Sequence, residues 1–449
     1  MRDGFERQRS FERARDPMSW HAARGRLLPV AAGMRRRGPF PPPRSVAALH
    51  LDIARFAEQL CETEDEVAQR TEAVARASMV VQTVWPGARV HLFGSAVSGM
   101  RLPYGDVDIM IEAPGANGQL LLPKLARALR DAAVPSTILT ILDRRVPIIK
   151  WTDKMTGMKI DGCVNNAGGL HTSTLLRHSV ASLDKLRPLT LVLKSQLLMH
   201  GLHNAFTGGI GGYLLANMVR HLLLLSPPPL EHSRATRPAR ESGAFEAPLV
   251  DEVPQVGNAA AARADGAHEV DAAGEDLGGA LLRFYWYYGY QLDLKSSIVM
   301  SEGPDTWLAT GPGWQGWLEH SPGMLSINDP LKPESDLGAK AFRYNIARQL
   351  LRASYVKLSA QVAEHTQQQQ EQQQELQHES SGDLSGNAGR CSSLLSLVLP
   401  KWNAMGSQQA RRHQKELAQM NRRRRIEEKR MTTASRAIVS GSRVDPLWY

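Results

Sequence analysis

Apolar side chains outline this chain before any single motif does. From Leu49 onward, Leu51, Ile53, Phe56 and Leu60 recur two to four positions apart, a spacing that predicts a helix. Thr63 followed by Glu66 resembles a capping box, so a second helix is expected from there to about Val84, with Val67, Val74, Met79 and Val81 as its apolar positions. Short β-type runs follow at Arg89–Phe93, Val107–Glu112, Val146–Trp151 and Lys159–Asp161, and a helical stretch at Leu120–Ala132 lies between them. Strands alternating with helices predict an α/β layer. After Ser173 the pattern is mainly helical until about Ala360.

Four stretches break this pattern. Residues 1–45 are rich in Arg and Pro, end in Pro41–Pro43, and are expected to be disordered. Residues 226–275 carry Pro227–Pro229, the alanine run Ala259–Ala262 and scattered acids, with few large apolar residues to bury, and read as a disordered insert. Residues 367–377 are Gln/Glu-rich and lead into a Ser/Gly linker; they are expected to be an unstructured or weakly helical spacer within a low-complexity tail, 361–449. Arg411–Arg430, with Arg422–Arg425 inside it, has three readings: a solvated charged helix, a nuclear localisation signal or an arm that holds RNA.

Length and composition narrow the class. A chain of 449 residues suggests two or three domains, and an apolar share of 42% supports a sizeable core. The most apolar stretches, Leu189–Leu198 and Leu214–Leu225, contain Lys194, Arg220 and His221, so they read as buried helices and not as membrane spans. Cys61, Cys163 and Cys391 stand far apart with no C-x-x-C pairing, which suggests neither a disulfide framework nor a zinc site. No secretory signal is expected, because Met1–Arg15 is charged; Asp3, Glu6 and Glu12 among its arginines also weaken a transit peptide. A net charge of +9 favours a polyanionic partner.

The chemistry concentrates in His91-Leu92-Phe93-Gly94-Ser95 and in Gly99-Met100-Arg101-Leu102-Pro103-Tyr104-Gly105-Asp106-Val107-Asp108. Gly94 and Ser95 follow an apolar strand, where a glycine lets backbone approach a ligand and free N–H groups at a helix start favour phosphate. Asp106 and Asp108 are two apart on an expected strand, so both carboxylates face one side. Two such carboxylates repel each other unless cations lie between them, and a pair of Mg²⁺ ions meets that need. Asp161, at the end of another strand, is the candidate third ligand.

This string resembles the nucleotidyltransferase signature of the DNA polymerase β superfamily. Leu102-Pro103 before the aspartate pair resembles its TRAMP-type poly(A) polymerase branch, also called DNA polymerase sigma. The likeness extends over roughly residues 48–360, through Val146-Pro147-Ile148-Ile149-Lys150, Leu191–Lys194, Phe206–Ile210, Leu277–Gly289 and Ile327–Leu331. It implies an α/β + α fold: a mixed-sheet catalytic lobe at 86–165 and a helical PAP-associated lobe at 166–360, with the helices of 46–85 packing on the helical lobe. It implies that Asp106, Asp108 and Asp161 hold Mg²⁺ or Mn²⁺ while an RNA 3′-OH attacks the α-phosphate of ATP. It also implies that Gly94 and Ser95 touch the nucleotide, that Lys194 contacts its terminal phosphates, that Tyr213 stacks on the base, and that Thr172 and Ser173 lie near the ribose. The loop Asp329–Gly338, with Asp329 and Asp336, matches the segment that reads the base edge.

The sequence departs from that pattern at the nucleotide pocket. Gly211-Gly212 stands where the family usually has two serines, so Gly212 keeps only backbone donors; Asn328 replaces a Glu and Ala339 an Arg. Uridine-adding relatives often carry a His where Ser335 stands, so ATP is expected over UTP, with a uridylyltransferase on the same scaffold or a catalytically weak RNA-binding scaffold as alternatives. The resemblance further implies RNA processing, surveillance or decay in the nucleus, the nucleolus included, with the cytoplasm or an organelle as alternatives, and a zinc-knuckle RNA-binding protein and an RNA helicase as partners in a TRAMP-like assembly, with no membrane.

Overall fold

A computed structural model describes residues 43, 46–103, 105–143, 146–225, 275–309, 324–378 and 393–399. The Arg/Pro-rich start, all but the last residue of the insert, and the basic stretch at 411–430 therefore lie outside the described residues.

One half is a five-stranded sheet of β1 (Arg89–Phe93), β2 (Val107–Glu112), β3 (Pro135–Ile141), β4 (Ile148–Asp153) and β5 (Lys159–Val164), in the order β1-β2-β5-β4-β3. Only β2 and β5 run parallel; the other pairs are antiparallel. Val107, Ile109 and Ile111 of β2 pack with Ile149, Trp151 and Ile160 against two helices, α2 (Glu64–Val84) and α3 (Gly118–Asp131). Side chains alternate across a strand, so Asp108 points to the opposite face from this core.

The helical half is built from α1 (Ala47–Gln59), α4 (Gly168–Ser182), α5 (Leu186–Met199), α6 (Gly212–Leu224), α7 (Leu277–Trp286) and α8 (Tyr344–His378). Its core joins Leu49, Ile53 and Phe56 of α1 to Leu189, Leu193, Leu215, Leu281, Tyr285 and Leu351. A π-helical turn, Tyr287–Gln291, extends α7, and the Gly289 carbonyl it exposes accepts from both Arg348 and Arg352. No described helix is long and apolar enough to cross a membrane.

Several expectations change. The two helices of 46–85 do not both join the helical lobe. α1 does, but α2 lays Ala73, Ala77 and Val81 on the sheet, a small-residue face that allows close approach, while the expected capping box at Thr63 is formed. Strand β3 adds to the expected strands: it carries the apolar residues Ile138, Leu139 and Ile141, but it lies at the edge of the sheet and none of its residues is fully buried. Residues 173–360 are interrupted by β6 (Ser297–Met300), β7 (Thr306–Ala309), β8 (Asn328–Asp329) and β9 (Lys332–Asp336). The Gln/Glu-rich stretch is helical and forms the last turns of α8. Part of the expected low-complexity tail also returns to the core. Leu394, Leu395, Val398 and Leu399 are buried there, and Asp52 of α1 accepts from Ser393 Oγ at 2.7 Å and from the Leu395 N–H at 3.2 Å.

Candidate active site

Register across the sheet assembles the acidic centre. Phe93 of β1 lies opposite Asp108 of β2, Asp108 opposite Asp161 of β5, and Asp161 opposite Lys150 of β4. Directly opposed residues share a face, so two carboxylates and an ammonium form one row, with Asp106 entering just before β2. Lys150 forms an ion pair with Asp161. Burial, then the nearby charges of Asp161 and Asp106, push the Asp108 carboxyl up to about 7, against the opposing pull of Lys150 and Lys194. The sequence signal for Lys150 was its place in Val146–Lys150, but its role needed the register.

The turn after β1 is shaped around this row. Gly94 has φ +73°, and a Cβ there would overlap the Asp108 carboxylate. Its N–H donates to Ser173 Oγ at 2.6 Å, and Ser173 donates in turn to the Gly169 carbonyl at 2.6 Å. The Gly94 N–H is therefore engaged within the protein, and Ser173, buried in α4 where a ribose contact was expected, holds this turn. Thr172, half-buried, donates to the Gly169 carbonyl at 3.0 Å. Ser95 lies in the 3₁₀ turn Gly94–Ala96 beside them.

Lys194 of α5 reaches the same region from the helical lobe. Its ammonium donates to the Met100 carbonyl at 3.0 Å, and burial, with Arg101 nearby, holds it down to about 8 despite the attraction of Asp108 and Asp106. Arg187, two turns earlier, donates to the Gly99 carbonyl at 3.0 Å.

The remaining candidates divide by what they touch. Tyr213, in the first turn of α6, donates its hydroxyl to Asp329 Oδ1 at 2.8 Å, joining the expected stacking residue to the expected base reader. Asp329 also accepts from the Leu331 N–H at 3.0 Å. No side chain caps α6, whose first residue, Gly212, is exposed with open space around its Cα. Its first N–H groups carry no side-chain cap, an arrangement that suits phosphate. Asp336 accepts from the Ile327 and Gly338 N–H groups at 3.0 and 2.7 Å, which shapes the β8–β9 hairpin. Asn328, expected at the nucleotide pocket, is instead buried, and its amide pairs with both backbone groups of Met300. Ala339 and Ser335 are exposed.

The donor set fits a hard divalent cation: clustered carboxylate oxygens, one of them, on half-buried Asp108, with its proton affinity raised by desolvation and by its acidic neighbours. Among the described residues no three His, Cys, Asp or Glu side chains already stand as an ion-holding group, and Asp161 is paired with Lys150. A cation would compete with that ammonium for Asp161.

Residues 49–180 match the family described as "Poly(A) RNA polymerase, mitochondrial-like, central palm domain". A poly(A) RNA polymerase protein of Drosophila melanogaster named as inactive, Trf4-2, is 27% identical over 323 residues, covering 70% of this chain and 69% of that one. Poly(A) RNA polymerase cid14 of Schizosaccharomyces pombe is 31% identical over 294 residues, covering 64% of this chain but only 37% of its own length. Among solved structures, the polymerase core of TRAMP, an RNA surveillance complex, superposes with a TM-score of 0.57 at 20% identity, covering 70% of this chain and 87% of that one. A cytoplasmic RNA terminal U-transferase superposes with a TM-score of 0.53 at 19% identity, covering 70% and 94%. At these identities the structural likeness speaks for the fold: a mixed-sheet palm beside a helical lobe.

Proposed function

We propose that this chain is a TRAMP-type nucleotidyltransferase that adds AMP from ATP to RNA 3′ ends, a reading supported by the palm-domain match over residues 49–180 and by the poly(A) polymerase relatives. The observation that carries this reading is the register of Asp108 against Asp161 on parallel strands, beneath a glycine turn that only a missing side chain permits. The Drosophila relative is named inactive; in this chain Asp106, Asp108 and Asp161 are all present.

Mg²⁺ or Mn²⁺, held by Asp106, Asp108 and Asp161, would supply charge neutralisation at the triphosphate and activation of the attacking hydroxyl. The chain's own groups do the rest. Lys194 turns from the Met100 carbonyl to the terminal phosphates as a point charge. The open first turn of α6, at Gly212, receives phosphate oxygens through backbone N–H groups. Tyr213 offers its ring to the base while its hydroxyl orients Asp329 toward the base edge. Asp161 faces the incoming 3′-OH and helps to take its proton, with Lys150 steadying the carboxylate. Thr172 lies within reach of the ribose; Ser95 joins the phosphate side of the pocket.

The test is extension of a labelled RNA with each nucleotide separately. ATP incorporation is expected, abolished in a folded Asp106→Ala/Asp108→Ala double variant; wild-type rates in that variant would sink the metal site. Ser335→His should raise the use of UTP relative to ATP, and Tyr213→Phe should narrow discrimination by roughly tenfold, the scale of one lost hydrogen-bonded partner. A wild-type preference for UTP would replace the adenylyltransferase reading with the uridylyltransferase one. Lack of incorporation of any nucleotide would favour the RNA-binding scaffold. Nuclear RNA surveillance, with a zinc-knuckle RNA-binding protein and an RNA helicase as partners, is part of the same proposal, and affinity capture from nuclear extract tests it.

A further inference from the structure

The loop that delivers Asp106 to the active site is held by cations. Arg187 and Lys194 take the carbonyls of Gly99 and Met100 from the helical lobe. Arg101, inside the loop, is only 4% exposed. Its guanidinium donates to the Gly105 carbonyl at 2.6 Å and to Glu62 Oε1 at 2.8 Å. Glu62 lies in the turn between α1 and α2 and is shared with a second buried arginine, Arg70. The Gly105 N–H closes a tight turn onto the Leu102 carbonyl at 2.9 Å, with Pro103 in its second position. Gly105 is thus fixed through both its N–H and its carbonyl, and the next residue is Asp106.

We infer that Arg101 is a positioning residue for the carboxylates of Asp106 and Asp108, transmitting the place of the α1–α2 turn, through Glu62, to the metal-binding strand. This rests on the metal-site reading above. Packing alone does not explain the arrangement. A buried ion network is a poor source of stability compared with apolar residues of like volume, and the Arg101 Nε has no hydrogen-bond partner even though it is buried. What the guanidinium supplies that an apolar side chain cannot is a directed pair of donors, one to Glu62 and one to the backbone ahead of Asp106. Arg70 makes the matching control: it shares Glu62, yet no hydrogen bond from it to the loop is present among the described residues. The α1–α2 turn is also where the chain passes from the helical core to the sheet core, so Glu62 ties the metal strand to the junction of the two lobes.

The experiment measures Mn²⁺ binding to the full chain by electron paramagnetic resonance, with thermal unfolding recorded in parallel. Arg101→Met is expected to weaken Mn²⁺ about tenfold or more, the range seen when groups that orient metal ligands are lost. Arg70→Met, which breaks the same buried pair, is expected to lower the melting temperature comparably while leaving Mn²⁺ binding within about twofold of wild type. Arg101→Lys keeps the charge beside Glu62 but lacks the fork that reaches two acceptors, so it should also bind Mn²⁺ weakly, and it serves if the Met variant does not fold. Wild-type Mn²⁺ affinity in either folded Arg101 variant overturns the inference while leaving the metal site standing. Equal weakening in the Arg70 and Arg101 variants also overturns it, since a general loss of structure then explains both. Failure of the wild type to bind Mn²⁺ overturns the site and the inference together.

Discussion

The α-carbon of Gly94 lies so close to the Asp108 carboxylate that a Cβ at position 94 would overlap it, and φ at Gly94 is +73°. Two independent constraints therefore demand glycine: left-handed backbone, which costs another residue about 1–2 kcal/mol, and contact with a carboxylate that must stay aimed. Gly94→Ala should keep the fold by circular dichroism and lose roughly a hundredfold or more in nucleotide transfer, as expected when a reacting geometry shifts by about 1 Å. Transfer at the wild-type rate would show that the turn and Asp108 are not coupled.

Asp108 should be a liability for the metal-free fold. Its carboxyl is pushed up to about 7 by burial and by Asp161 and Asp106, so the fold prefers the protonated form and is weakened by the charged one. A raised acid costs stability in full above the folded value of about 7; that cost shrinks as pH falls through 7 toward 4 and is gone below the unfolded value, where the folded and unfolded chains are both protonated. Asp108→Asn should then raise the melting temperature in EDTA by roughly 2–8 °C at pH 8, with the gain fading between pH 7 and pH 4, while abolishing transfer. A gain that stays constant over that range would assign it to something other than the carboxylate charge.

The ends of the 226–274 stretch meet at one side chain. Arg283 donates to the Leu225 carbonyl at 3.2 Å and pairs with buried Glu275 at 2.7 Å. Replacing 230–274 with a short Gly/Ser linker should leave ATP incorporation within a few-fold of wild type. Arg283→Met should instead destabilise by about 3–5 kcal/mol, since it leaves Glu275 buried without its partner. Thermal melts of the two variants side by side decide this, and a large loss in the linker variant would show that the stretch packs on the core.

Leu395 is fully buried although it lies beyond the Gln-rich region. Leu395→Ala should cost about 2–5 kcal/mol, and Asp52→Ala a smaller amount through its two lost hydrogen bonds. Urea unfolding of both variants is the measurement. Unchanged midpoints would mean that 393–399 does not secure α1.

Much of the site was legible along the chain, because its determinants are local. The i, i+2 spacing of Asp106 and Asp108 predicts one shared face, and the observed alternation of β2, with Val107, Ile109 and Ile111 in the core, puts Asp108 on the side away from it, with Asp106 just before the strand. The capping box at Thr63 likewise needs only three residues' separation, and it formed as expected. Pairing across distance was not legible in the same way. Which strand lies against β2, and in what register, follows from how the sheet packs on α2 and α3; that decision set Asp161 beside Asp108 and Lys150 beside Asp161. Ser173 and Asn328 were expected at the nucleotide pocket by position, and their hydrogen bonds to Gly94 and Met300 are made with segments that only folding brings near. The same holds for Arg101 and Glu62, 39 residues apart, which meet because α1 and α2 part company at the turn between them. Helical and strand periods are properties of neighbouring residues, so the sequence determined the main helices, strands β1, β2, β4 and β5, and the chemistry they carry, but not the edge strand β3 or the short strands β6–β9. The partners of those elements depend on burying every apolar face at once, and that the tertiary structure alone decided.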